Sequence, residues 1–205
     1  MKNKIIAIGI LTMLFYSHAP SPISGRLGDS PFEPYEIAKG EKIEQYSKFV
    51  SPFRGEETEL FLARIYGLSV QYGLDFDIAI RWLYTESRFN PKAVSLKGAI
   101  GICQLMPGTA KLIADIIDYP EYNLLNENNN LNLGFAFLSL LLTESDYNYE
   151  KALARYYAGP NWNYYVESRY VRFIIPDETV RLSGSAVSGS ALSSLKGSPN
   201  CSPKT

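Results

Sequence analysis

The stretch Glu86-Ser87-Arg88-Phe89-Asn90-Pro91-Lys92-Ala93-Val94-Ser95-Leu96-Lys97-Gly98-Ala99-Ile100-Gly101-Ile102-Cys103-Gln104-Leu105-Met106-Pro107-Gly108-Thr109-Ala110 ends one helix, crosses a loop and opens another. The loop, Arg88 to Leu105, is rich in glycine, serine and proline. Pro107 suits the first turn of a helix, whose missing N–H would have no partner there anyway. Met106, Ala110, Ile113 and Ile117 then fall on one face. Upstream, Ala79, Trp82, Leu83 and Glu86 follow the i, i+3, i+4, i+7 rule, which sets the carboxylate on an apolar face. It also lies in a last turn, at the negative end of the helix dipole. Both effects disfavour the charged form and raise the pKa, as a general acid for neutral pH requires. By position alone, a solvated helix-end glutamate or one paired with Arg88 fits as well.

Outward from this stretch the pattern stays helical. Phe61, Ile65, Leu68 and Tyr72 recur at helix spacing from Glu56 on, and Gly73 is placed to end that helix. Asp75 or Asp77 can cap the helix that carries Glu86. Residues 128–143 end almost wholly apolar, as a buried central helix would. Two shorter helices, Tyr149–Tyr157 and Trp162–Ile174, flank Gly159-Pro160. There is no strand-period segment of useful length and no internal repeat. The reading is an all-α domain over residues 56–176. Before it lies an N-terminal arm, 25–55, interrupted by Pro31, Pro34 and Pro52, with a short helix from Tyr35 to Phe49. After it, residues 177–205 form a Ser/Gly-rich tail with too little apolar surface to order.

Composition narrows the chemistry. The 205 residues are 46% hydrophobic and 20% charged, enough for one globular domain with a real core. A formal charge of −1 carries no footprint for nucleic acid. The single histidine, His18, lies in what reads as an export signal, so the mature chain has no imidazole for a Ser-His or Cys-His mechanism or for zinc. Cys103 and Cys201 form no metal motif and are not expected to pair. Catalysis therefore falls to carboxylates, tyrosines, lysines or backbone groups, with no metal and no cofactor. The fifteen tyrosines suit either a sugar-binding groove or a core.

The start of the chain predicts its destination. Lys2 and Lys4 precede an apolar run from Ile5 to Tyr16, then Ser17-His18-Ala19. This describes a secretory signal over residues 1–24, too short for a comfortable span. Pro20 after Ala19 is a poor residue for cleavage, so an uncleaved anchor stays open. The predicted location is the periplasm or cell envelope.

The Glu86–Ala110 stretch closely resembles the soluble lytic transglycosylase domain family, which reads E-S-x-F-N-P-x-A-x-S-x-x-G-A-x-G-L-M-Q-x-M-P-x-T-A. Asn132-Leu133-Gly134 looks like that family's N-x-G helix, and Ala152 to Gly159 resembles its A-L-A-A-Y-N-A-G. The resemblance covers roughly residues 58–175. It implies a lysozyme-like helical fold with a glycan lying across a catalytic cleft, and it makes Glu86 the acid/base. Ser95 and Gln104 would contact the sugar, Met106 would give apolar contact, Tyr156 would place a hydroxyl near the glutamate, and Tyr170 would reach the cleft. From the residues alone, Gln104 could instead tie down its own loop, and either tyrosine could be core. Two positions depart from the family: Cys103 replaces the methionine before the glutamine, and Tyr157 replaces the asparagine of A-Y-N-A-G.

An ordinary glycosidase needs two carboxylates about the scissile bond. One stands out here: a helix of about ten residues would hold Asp75 and Asp77 ~15 Å from Glu86, and Asp115 and Asp118 read as solvent or turn positions. The family's reaction suits one acid. Glu86 would protonate the bond between N-acetylmuramic acid and N-acetylglucosamine, then take the proton of the muramic 6-hydroxyl, which closes a 1,6-anhydro ring. The alternatives are a hydrolytic lysozyme of similar, goose-type fold and a non-catalytic glycan-binding or scaffold protein of an envelope-spanning machine. The implied partners are peptidoglycan strands and envelope or secretion machinery, with the enzyme itself a monomer.

Overall fold

A computed structural model describes residues 33–175. The leader, the tail and Cys201 lie outside them. The chain divides at Lys39 into two compact units, Met1–Ala38 and Lys39–Thr205, and the core and the site belong to the second. Among the described residues there are seven α-helices and no strand, only the isolated bridges Val94–Ile100 and Ile100–Leu105. The domain is all-α, as the periodicity indicates. None of these helices is long and apolar enough to cross a membrane.

Helix α1, Glu33–Arg54, is longer than the sequence suggests. Pro52 stops neither it nor its packing, because the ring sits in the last turn, where one missing N–H and one displaced carbonyl are tolerated. Tyr46, Phe49 and Val50 follow helix spacing and are buried, so the compact unit starts at Lys39 and not at residue 56. Phe49 meets Phe53, Tyr84 and Phe89 with ring centroids 6.4, 5.1 and 6.0 Å away. Arg54 ends the helix with its guanidinium 4.4 Å from the centre of the Phe61 ring.

Helix α2, Thr58–Tyr72, ends on Gly73, whose φ of 64° is the left-handed conformation that glycine adopts without strain. Asp75 then caps α3, Phe76–Ser87, by accepting from the Ile78 N–H at 3.0 Å. Helix α4, Pro107–Ile116, begins at the proline, as its sequence indicates. Helix α5, Glu127–Glu144, is the central one, packed against α2, α4 and α6, Tyr149–Ala158. The predicted helix 162–174 is not continuous. A 3-10 segment, Gly159–Tyr164, is followed by turns, and α7 covers only Arg169–Ile174. Ser168 causes the restart: its hydroxyl accepts from the Val171 N–H at 3.3 Å, a cap that favours a new helix over a continued one.

Because α1 supplies core rather than an appended arm, Phe49→Ala should lower unfolding free energy by about 3–5 kcal/mol, as for other buried phenylalanines. Urea denaturation reads this directly; a loss below about 1 kcal/mol would mean that α1 is not part of the cooperative unit.

Candidate active site

Glu86 occupies the last turn of α3, and the backbone turns sharply behind it. Arg88 and Phe89 both adopt left-handed φ, 55° and 61°, which is costly for residues with a Cβ. The cost is offset by burial: Phe89 is 1% exposed among Phe49, Phe53, Phe61 and Tyr84. Arg54 donates to the Phe89 carbonyl at 3.3 Å, and to both oxygens of Glu127 at 3.0 Å. Glu127 also takes Arg64 at 3.2 Å. The reversal after Glu86 is thus anchored to the start of α5.

The loop beyond this reversal is held from three helices. Ser87 Oγ donates to the Ile102 carbonyl at 2.7 Å. Asn130 of α5, wholly buried, donates to the carbonyls of Ile100 and Leu124 at 2.9 Å each and accepts from the Cys103 N–H at 2.8 Å. Tyr156 Oη of α6 donates to the Cys103 carbonyl at 2.7 Å. Gly101 has a φ of 80°, and a Cβ there would collide with the Asn130 amide. Cys103 fills the space above Gly134, where a Cβ would stand 2.5 Å from the thiol sulfur. Burial pushes the Cys103 thiol well above its ordinary pKa, with the charges of Glu86 and Glu127 adding to it.

Glu86 itself is deeply set among protein atoms yet keeps part of its surface open to solvent. Tyr170 of α7 donates to Oε1 at 2.5 Å. Burial raises the carboxyl from its ordinary 4.5 to about 7, against the opposing pull of the Tyr170 hydroxyl and, more weakly, of the Trp82 indole. The Trp82 N–H is buried without completing a hydrogen bond, so its effect is one of nearness only. Arg88 is exposed, and no ion pair to Glu86 occurs among the described residues. Among the described residues no second carboxylate contributes to its pKa. Asp77 pairs with Lys42, Asp115 with Lys111, and Glu127 with its two arginines.

Of the predicted site residues, Tyr170 meets Glu86 directly. Tyr156 does not: its hydroxyl goes to the loop backbone, although the Glu86 charge still adds to the burial that raises its pKa. Gln104, at a φ of 51°, spends its amide N–H groups on the carbonyls of Ala93 and Gly101 at 3.2 and 2.8 Å. What it offers outward is its carbonyl oxygen, an acceptor only. Ser95 Oγ accepts from the Ala99 N–H at 3.0 Å, which leaves its own O–H to donate. Met106 caps α4 with 44% of its surface exposed. Ser87 and Asn130 escaped the sequence reading. Asn132, read there as the helix asparagine, donates to the Asn128 carbonyl of its own helix and accepts from the Tyr72 hydroxyl of α2, while Asn130 holds the loop. Its spacing to Gly134, i to i+4, places it on the buried face and was the available signal.

The chain belongs to the transglycosylase SLT domain family, whose model matches residues 67–178. The soluble lytic murein transglycosylase of Salmonella typhimurium is 38% identical over 79 residues, 37% of this chain and 12% of that protein. The membrane-bound lytic murein transglycosylase C of Glaesserella parasuis is 33% identical over 91 residues, 41% of this chain and 24% of the relative. The chain thus spans a quarter or less of the length of these relatives. Among solved structures, an inactive mutant of lytic transglycosylase Slt from Pseudomonas aeruginosa aligns over 73% of this chain and 26% of its own, at 24% identity and a TM-score of 0.49.

The raised Glu86 pKa has a consequence for stability. Below pH 4.5 the folded and unfolded chains both hold this proton. As the pH rises to about 7 the unfolded chain gives it up first, and the fold loses up to about 3 kcal/mol. Glu86→Gln should therefore raise Tm little at pH 4.5 and clearly at pH 8, in paired thermal melts. An equal effect at both values would contradict a neutral buried carboxyl.

Proposed function

We propose that this chain is a peptidoglycan lytic transglycosylase that cleaves the β-1,4 bond between N-acetylmuramic acid and N-acetylglucosamine, with Glu86 as its single acid/base. One observation carries the reading: a lone, deeply set carboxyl held at about 7 and bonded to a phenol, with no other carboxylate perturbing it. At that pKa the group both gives and takes a proton near neutral pH. Oε1 accepts the Tyr170 hydroxyl, so the transferable proton belongs on Oε2. That proton goes to the glycosidic oxygen as the bond to C1 breaks, and Tyr170 steadies the carboxylate left behind. The carboxylate then removes the proton of the muramic 6-hydroxyl, whose oxygen bonds to C1 and closes the 1,6-anhydro ring.

A tethered hydroxyl suits a site where no second acid stands among the described residues to aim water, since intramolecular attack gains a large effective concentration. Ser95, donating, Gln104, accepting, and Met106, apolar, are assigned to the glycan. Tyr156 is assigned to the site through the Cys103 carbonyl that it holds. Names of relatives containing "murein" support the substrate class. Export to the periplasm or envelope by the 1–24 leader, cleaved or kept as an anchor, belongs to the same reading. So do a monomeric enzyme and recruitment by envelope machinery.

Glu86→Gln should keep the fold and lower glycan cleavage by ~10²–10⁴-fold or more. Wild-type digestion of purified strands should yield 1,6-anhydromuramic ends, one water lighter than reducing ends by mass spectrometry. Reducing ends as the main product would make the enzyme a lysozyme, and intact strands would leave only glycan binding.

A further inference from the structure

Tyr157 stands where the family pattern has asparagine, and in sequence it reads as a disturbance at one end of the cleft. The structure gives its ring a definite place. It stacks on Tyr170 with centroids 4.6 Å apart and planes at 26°, and Tyr165 meets its edge at 5.5 Å and 62°. Tyr170 is the residue whose hydroxyl lies 2.5 Å from Glu86 Oε1. It belongs to α7, only six residues long. A helix so short does not hold itself and takes its position from what it packs on. The short helix packs on α3, where Phe173 stacks on Tyr84, and on α6, where the Tyr157 ring of the last turn lies against the Tyr170 ring.

We propose that Tyr157 is a positioning residue: by stacking on Tyr170 it keeps that phenol aimed at Glu86, a task done by ring surface where the family pattern has an amide. This rests on the proposed role of Glu86. Among the described residues, Tyr170 from α7 and Trp82 from its own helix act on that carboxyl, and Tyr156 from α6 and Cys103 from the loop feel its charge. Of these, Tyr170 gives the largest pull toward the charged form, so a loosened Tyr170 lets the carboxyl drift to higher pKa.

The test compares Tyr157→Phe, Tyr157→Asn, Tyr157→Leu and Tyr170→Phe in the full chain. Glu86 is titrated by carboxyl ¹³C NMR without substrate, its signal assigned by loss in Glu86→Gln. Tyr170→Phe should move the Glu86 titration up by about one pH unit, the worth of a hydrogen bond to a charged group. Tyr157→Phe should leave it in place. Tyr157→Asn and Tyr157→Leu should move it up by at least half the Tyr170→Phe shift, and the double variant Tyr157→Leu/Tyr170→Phe should add nothing further. Where glycan is cleaved, the basic limb of kcat/KM moves in step. A Glu86 titration unmoved in both Tyr157→Asn and Tyr157→Leu overturns the proposal, as does a full additive shift in the double variant. A raised KM with an unmoved titration also overturns it, by making Tyr157 a glycan contact. Leucine keeps apolar bulk and guards against misfolding of the asparagine variant. The titration needs no turnover, so a failure of the enzymatic reading stays separate from a failure of this one.

Discussion

The side chain of Asn130 has two N–H groups and one carbonyl to satisfy in a place that water does not reach, and it satisfies them all on backbone. A buried amide left half-bonded costs more than a made bond contributes, so this side chain and the loop it binds hold one another in a single arrangement. The carbonyls that Ser87 and Tyr156 reach belong to Ile102 and Cys103, both within the segment Asn130 positions. The helix bearing Glu86, the loop behind it and the helix bearing Tyr156 thereby share one reference frame on α5.

Within that frame the setting of Glu86 costs stability. Burial penalises its anion, and among the described residues nothing supplies a full positive charge to relieve it. A salt bridge would have stabilised the fold and lowered the pKa, away from the range that the proposed acid role needs. Among the described residues the arginines held in ion pairs go elsewhere, Arg54 and Arg64 to Glu127, Arg155 to Glu144 and Arg172 to Glu167. A neutral phenol is a milder partner: its hydrogen bond favours the carboxylate without fixing the group in that form.

The aromatic content finds its use in this light. One cluster of rings, Phe49, Phe53, Phe61, Tyr84 and Phe89, surrounds the strained reversal after Glu86. A second, Tyr157, Tyr165 and Tyr170, reaches the carboxylate through the Tyr170 hydroxyl. Rings have few rotatable bonds and large contact areas, so they hold strained backbone and short helices at small entropic cost. Helix α1 contributes to the first cluster from outside the segment matched by the family model, 67–178.

What the sequence determined by itself is local. Helix spacing, the Asp75 cap, the Gly73 stop and the Pro107 start depend on neighbours within a turn, so α2 to α6 were legible nearly to their ends. So was Glu86, because its apolar face and its place in the last turn are both properties of one helix. Tertiary structure decided the rest. Whether a phenol meets a carboxylate 84 positions away, whether Asn130 or Asn132 turns inward, and whether Tyr157 obstructs or supports depend on how helices approach one another. Pro52 shows the same limit from the other side: its penalty is local, but the burial of Tyr46, Phe49 and Val50 that outweighs it is not.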